Sequence, residues 1–101
     1  MSNERKEVFP DRVEYTDCNG EYHREDGPAI EWDNGTSYWF KHGTSHREDA
    51  PAVESPIDTY KSWWVDGVPV ATLQRGVLVV TADHIPPAIK SSIAIEMLKN
   101  G

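Results

Sequence analysis

Short apolar stretches alternate with polar ones over most of the chain, and turn-forming pairs separate them. Asn-Gly and Asp-Gly supply the positive φ that tight hairpin turns require. The pattern therefore predicts a mainly β fold over residues 11–81, an antiparallel meander of hairpins. From Val13 onward the turn signals are Asn19-Gly20, Asp33-Asn34-Gly35, His42-Gly43 and Asp66-Gly67, and a further hairpin is predicted at Gln74-Arg75-Gly76. Between these turns, strands are predicted over residues 20–23, 28–32 and 37–41.

The pattern changes after residue 81. Ile85, Ile89, Ile93 and Met97 recur every four residues, after a pair of prolines. This stripe predicts one amphipathic helix over about residues 85–100, within a C-terminal segment 82–101 that packs on the sheet. Residues 1–10 are charged and aperiodic, which predicts a mobile arm or a first edge strand. At 101 residues, all three segments belong to one domain.

One nine-residue block occurs twice. His-Arg-Glu-Asp-Gly-Pro-Ala-Ile-Glu at residues 23–31 returns as His-Arg-Glu-Asp-Ala-Pro-Ala-Val-Glu at residues 46–54, 23 residues later. Gly43 and Gly67 are 24 apart, which indicates a third, degenerate unit with one insertion between Ser55 and Tyr60. A unit this short cannot bury a face alone, so we expect tandem 23-residue hairpin repeats that share a core.

These strings, with Ser-Tyr-Trp-Phe-Lys-His-Gly at residues 37–43, resemble MORN-like repeats of the His-Arg-x-Asp-Gly-Pro-Ala type found in bacteriophage and bacterial proteins. The similarity covers about residues 12–67. It implies β-hairpins that contact other macromolecules, usually proteins, and a phage origin, and it supplies no catalytic residues. Ala50 departs from the pattern where the first block has Gly27, and Pro69 falls where the third unit would have its histidine.

Charge and cysteine content narrow the function. Seventeen acidic against ten basic residues give a net charge of −7, which argues against direct nucleic-acid binding and leaves an acidic nucleic-acid mimic open. The single cysteine, Cys18, favours a reducing cytoplasm, that of the host cell if the chain is phage-encoded. The longest apolar run, Val77–Val80, is too short for a membrane span.

The repeated blocks allow two interpretations. His23, Asp26, His46 and Asp49 are metal-ligand types, so a metal-dependent hydrolase is one alternative. The favoured alternative is structural: Arg24 and Arg47 pair with carboxylates across strands, while the two aspartates bond backbone amides in the turns before the prolines. No nucleophile motif or phosphate-binding loop occurs, so we predict a non-enzyme without metal or cofactor.

The aromatic residues carry the binding prediction. Trp63 and Trp64 must point to opposite sheet faces, so one of the pair is either covered by the C-terminal helix or left on the surface as a binding residue. Together with Tyr38, Phe40 and Tyr60, the tryptophans exceed what one face can hide. We predict a protein-binding module that modulates a host protein, with self-association through an open sheet edge as a further alternative. The predicted binding residues are Trp32, Tyr38, Trp39, Trp63 and Trp64.

Overall fold

The computed structural model describes residues 4–100 and contains ten strands and one C-terminal α-helix. Eight strands form one antiparallel sheet in the order β1-β2-β3-β4-β7-β8-β9-β10, and β5 pairs with β6 in a small second sheet. The predicted mainly β hairpin meander is confirmed. The elements are β1 Arg5–Val8, β2 Arg12–Thr16, β3 Ile30–Trp32, β4 Ser37–Tyr38, β5 Phe40–Lys41, β6 Thr44–Ser45, β7 Val53–Ser55, β8 Tyr60–Val65, β9 Val68–Gln74, β10 Val77–Val80 and α1 Pro87–Asn100.

The tight turns follow the dipeptides that predicted them. His42-Gly43 has φ values of 47° and 81°, and Asp66-Gly67 has 50° and 79°. Positive φ at both central residues is the requirement of a type I′ hairpin turn, which matches the twist of the flanking strands. Arg75-Gly76 has the same pair of values and closes the predicted hairpin between β9 and β10.

Two predicted strands differ from the structure. Residues 20–23 contribute only an isolated bridge between Thr16 and Tyr22. The strand predicted over residues 37–41 is divided at Trp39 into β4 and β5. The division arises because the backbone partner changes there: Trp39 N–H donates to the carbonyl of Ala52, and the next two residues pair with β6.

At the N-terminus, the edge strand is the predicted alternative that the structure shows, since β1 pairs with β2 along its whole length. Residues 1–3 of that segment and Gly101 lie outside the described residues. The insertion predicted between Ser55 and Tyr60 corresponds to a short 3-10 turn, Ile57–Thr59.

The helix begins at Pro87, and its buried stripe differs from the predicted one. Ile89 and Ile93 are buried as expected, but Met97 is 39% exposed and Glu96 is buried instead. Glu96 lies on the buried side because its carboxylate approaches Lys61 Nζ of β8 at 3.6 Å and Lys99 Nζ at 3.3 Å. An apolar periodicity alone does not reveal an ion pair of this kind.

The two faces of the main sheet differ in what covers them. Cross-strand partners share a face and successive residues alternate, so the strand register assigns each residue to one face. We call the face of Trp63, over which α1 packs, the covered face, and that of Trp64 the open face. The covered face also holds Val13, Tyr15, Glu31, Ser37, Glu54, Lys61, Ala71, Leu73 and Leu78. The open face also holds Arg12, Glu14, Ile30, Trp32, Tyr38, Val53, Tyr60, Ser62, Thr72, Val77 and Val79.

The main apolar cluster lies between α1 and strands β8 to β10. Its centre is Trp63, which is 0% exposed and donates its indole N–H to Ser92 Oγ of α1 at 2.9 Å. Val70 and Ala71 are both buried although they are consecutive, because the register of β8 and β9 shifts at this point. A β-bulge sets two residues of one strand against one of its partner. The cluster is Trp63, Val70, Ala71, Leu73, Ile89 and Ile93.

The Trp63 to Ser92 hydrogen bond should couple the helix to the sheet. Trp63→Phe and Ser92→Ala should each lower the free energy of unfolding by about 1–3 kcal/mol, because each leaves a buried polar group without its partner. The double variant should lose less than the sum, by a coupling of about 0.5–3 kcal/mol. Guanidinium denaturation measures all three. Ser91→Ala, at an exposed neighbouring position, is the control, and additive losses would contradict the prediction.

Candidate protein-binding face and its supporting blocks

The arginines of the two blocks make matching contacts on the covered face. Arg24 Nη1 donates to the Pro28 carbonyl at 3.3 Å and to Glu31 Oε1 at 2.6 Å, and its Cζ lies 4.0 Å from the ring centroid of Tyr15. A guanidinium can stack on a ring and donate in its own plane at the same time. The predicted pairing of this arginine with a carboxylate is present, but it does not run between strands, because Arg24 lies in a loop and Glu31 lies in the strand that follows it.

The second block repeats this arrangement. Arg47 Nη1 donates to the Pro51 carbonyl at 3.1 Å and to Glu54 Oε1 at 3.3 Å, with its Cζ 3.8 Å from the Trp39 ring centroid. Trp39 is therefore a support for Arg47 on the covered face. The prediction that it belongs to a binding surface receives no support from its position.

A residue difference between the blocks affects the second arginine. At Gly27, an added Cβ would lie 2.9 Å from Arg24 Cζ, so a side chain there requires the guanidinium to move. The second block has Ala50 at this position. There the arginine bond to glutamate is longer, and Arg47 Nε is buried with no hydrogen-bond partner among the described residues. The contacts of Arg47 with the proline carbonyl and with the ring are shorter than those of Arg24, so the lengthening is confined to the bond with glutamate.

The block histidines join neighbouring hairpins. Nδ1 of His23 accepts the backbone N–H of His42 at 3.1 Å, and Nδ1 of His46 accepts that of Asp66 at 3.0 Å. Because a backbone N–H can only donate, the neutral ring carries its proton on Nε2, which faces Glu25 in the first block and Glu48 in the second. Both nitrogens of each ring are thus used within the fold.

The block aspartates do not make the predicted backbone bonds. In residues 4–100, neither Asp26 nor Asp49 accepts a hydrogen bond from a main-chain amide, and both side chains are exposed. The prolines that follow them already restrict the backbone, which removes the need for an aspartate turn. The same part of the chain contains no group of three or more His, Cys, Asp or Glu residues placed to hold a metal.

A separate pair joins the first turn to the next hairpin. His42 Nδ1 lies 2.7 Å from Asp17 Oδ2, and its ring stacks on that of His23 with 3.9 Å between centroids. The other oxygen of Asp17 accepts the backbone N–H groups of Asn19 and Glu21. The bond to His42 and then these backbone bonds lower the pKa of Asp17, against the opposing effect of desolvation.

The five predicted binding residues divide between the faces. Trp63 lies in the core and Trp39 lies under Arg47, whereas Trp32, Tyr38 and Trp64 are half-buried on the open face. Trp63 and Trp64 point to opposite faces, as predicted. The indole N–H of Trp64 donates to Ser62 Oγ at 2.9 Å. Three of the five residues are therefore placed where a partner can reach them.

Further aromatic rings extend this set across the open face. Phe40 stacks on Tyr38 with 6.4 Å between centroids, and Tyr22 contacts Phe40 at 5.5 Å. Sequence reasoning missed Tyr22, because the isolated bridge that places it opposite Thr16 has no strand pattern. The block loops and α1 lie on the covered face, and within residues 4–100 no helix lies over the open face. Its aromatic set is Tyr22, Trp32, Tyr38, Phe40, Tyr60 and Trp64.

Two features bound the open face. Near its first strands, Arg12 lies 4.2 Å from the ring centroid of Phe9 and 5.2 Å from that of Trp32. At the other end an open hollow of about 510 Å³ is lined by Thr72, Gln74, Val77 and Val79 with the exposed pair Asp58 and Arg75. Such a shallow, wide surface suits a macromolecule better than an enclosed small molecule.

The chain matches no known family model, no curated protein and no solved structure. The likeness to MORN-like repeats therefore stays a prediction from the strings alone. In the described residues, no helix has both the length and the apolar character needed to cross a membrane.

The stacked arginines should stabilise the sheet. Arg47→Lys should lower the free energy of unfolding by about 1–2 kcal/mol, because lysine cannot stack on Trp39 while bonding both Pro51 and Glu54. Urea denaturation measures the change. Arg75→Lys is the matched control, since Arg75 is 71% exposed and, within residues 4–100, its guanidinium pairs only with Asp58. Equal losses in the two variants would contradict this role.

Asp17 should make stability depend on acid pH. A carboxylate whose pKa is lowered by folding stabilises the folded state above its unfolded pKa, and that stability is lost as pH falls through the folded value. Asp17→Asn should therefore be less stable than the wild type at neutral pH, and the difference should shrink below about pH 4. Denaturation midpoints from pH 3 to 7 test this. Asp83→Asn, at an exposed position, controls for removal of one carboxylate, and a pH-independent difference for Asp17→Asn would refute the prediction.

Proposed function

We propose that this protein is a non-catalytic protein-binding module and that the open face is its contact surface. The observation that supports the proposal most directly is the distribution of aromatic residues. Six of the ten lie on a sheet face over which no helix packs within residues 4–100, and one tryptophan of four lies in the core. Tryptophan and tyrosine are the residues most enriched at binding hot spots.

The size of the face supports a protein as the partner. The two longer dimensions of the molecule are 38 Å and 28 Å. They set an upper limit of roughly 1,000 Å² for one face of the molecule, above the ~800 Å² that each partner contributes to a standard protein–protein interface. The molecule is therefore large enough to offer a protein contact of standard size on one face.

The open-face rings are already held in place before binding. Trp64 is hydrogen-bonded to Ser62, Tyr38 is stacked on Phe40, and Trp32 is flanked by the Arg12 guanidinium. Ordered side chains lose little rotamer entropy on association, which lowers the free-energy cost of binding. This order favours a rigid recognition surface.

The carboxylates support this function over nucleic-acid mimicry. Several of them are paired with cationic groups of the chain itself, which leaves less free charge to imitate a phosphate backbone. These pairs are Glu14 with Arg12, Glu25 with Lys41, Glu31 with Arg24, Glu54 with Arg47 and Asp58 with Arg75. The resemblance to repeats of phage proteins makes a cytoplasmic protein of a bacterial host the partner to test first.

Binding should depend on the open face and resist salt. Once a partner is captured from bacterial lysate and purified, Trp64→Ala should weaken its affinity by about 2 kcal/mol or more. Thr72→Lys adds a charge to the open face without removing an aromatic ring, and this variant should also weaken the affinity for the partner. Calorimetry at 0.1 and 0.5 M salt measures both, with circular dichroism as the check on folding.

Leu98→Ala is the matched control, because this side chain is 82% exposed on the helix at the other side of the sheet. Its affinity should equal that of the wild type. Unchanged binding by folded Trp64→Ala and Thr72→Lys would refute the open face. Affinity that disappears at high salt and is competed by duplex DNA would instead support the acidic mimic.

A further inference from the structure

The two ends of the eight-stranded sheet are protected differently. β1, at one end, carries Arg5, Lys6 and Glu7 among its four residues. Charged side chains on an edge strand discourage pairing with another chain. β10, at the other end, is Val77–Val80 and has no charged residue. Three of its four side chains are exposed valines, at 63%, 53% and 48% for Val77, Val79 and Val80.

The free edge of β10 offers a defined set of backbone groups. Residue pairs that exchange hydrogen bonds alternate along an antiparallel ladder. Thr81 N–H donates to the Val70 carbonyl, so Thr81 belongs to a hydrogen-bonded pair. Val79 and Val77 lie two and four residues before it, opposite Thr72 and Gln74, so the backbone groups of all three residues point toward β9. The N–H and C=O groups of Leu78 and Val80 consequently face away from the sheet.

We propose that β10 pairs antiparallel with β10 of a second copy of this chain, in the register that places Val79 opposite the second copy's Val79. In that register Leu78 of each copy exchanges hydrogen bonds with Val80 of the other, so both outward-facing residues are used. A two-fold axis through this pair makes the contact self-complementary. The main sheets then join edge to edge, with their helices on one side and their open faces on the other.

The residues that meet in this register suit one another. Valine faces valine on the open side, and leucine lies beside valine on the covered side, which are favourable cross-strand neighbours. Arg75 lies four residues before Val79 and Asp83 lies four residues after it. The two-fold axis therefore places Arg75 of each copy, which already pairs with Asp58 of its own chain, toward Asp83 of the other. Each chain carries a net charge of −7, so added salt should strengthen the association.

Disulfide trapping tests the register. In a Cys18→Ser background, Val79→Cys should form a covalent dimer under mild oxidation, because a pair without mutual hydrogen bonds has Cα atoms about 4.5 Å apart, within disulfide range. Val77→Cys is the matched control on the same strand and face. In the proposed register the two cysteines of this variant would be offset by four residues along the paired strands, roughly 13 Å, which is too far for a disulfide bond. Equal trapping of both variants, or of neither, would overturn the proposal.

The non-covalent dimer is tested by light scattering at millimolar protein concentration in low and high salt. The wild type should approach the mass of two 11.4-kDa chains, more so at high salt. Val79→Lys should be a monomer, whereas Val8→Lys, at a 69% exposed valine on β1, should match the wild type. A monomeric wild type, or a dimer that survives Val79→Lys, would overturn the proposal. Failure of this dimer leaves the open-face variants as an independent test of partner binding.

Discussion

In the described part of the chain, three aromatic rings lie on the covered face, and each ring requires a cover. The rings are Tyr15, Trp39 and Trp63, spaced 24 residues apart. Arg24 and Arg47 stack on the first two from loops of the repeated blocks, and helix α1 packs over the third. A single sheet cannot bury a large ring by itself, so these covers allow the meander to persist.

This constraint explains why the two blocks contain nearly the same residues and why no third block accompanies Trp63. An arginine needs the same carboxylate, proline carbonyl and ring at the same relative positions, which the blocks supply at Glu31 and Glu54. Once α1 covers Trp63, no third arginine is needed. Lys61 then occupies the covered face beside this ring and pairs with Glu96 of the helix. Helix α1 thus meets the same packing requirement in a different way.

Because every cover lies on one side, the other side is left for contacts. Half-buried aromatic side chains on the open face are stable without a partner, since neighbouring strands and stacked rings bury part of each. The edge strand β10 lacks charge for a separate reason, because its residues are Val77–Val80. The proposed partner surface thus follows from placing the covers on one face, whereas the proposed dimer edge follows from the residues of β10.

Much of the candidate site could be predicted, and the parts that could not depend on long-range contacts. Alternation predicted that Trp63 and Trp64 point apart, but only the position of α1 decides which of them is buried. Tyr22 carries no strand signal, so its place beside Phe40 depends on a bridge to a distant strand. Glu96 replaced Met97 in the buried stripe because Lys61, 35 residues earlier, provides its counter-charge.

The sequence by itself determined the hairpin meander, its turns and the duplicated block, because turn chemistry and strand alternation act between residues close in the chain. Only the tertiary structure decided which face is covered, that Trp39 supports Arg47, and that both nitrogens of His23 and His46 serve the fold. Those outcomes depend on which residues, distant in sequence, contact each other across the sheet. The local sequence pattern does not reveal these contacts, because they form only when the strands pair.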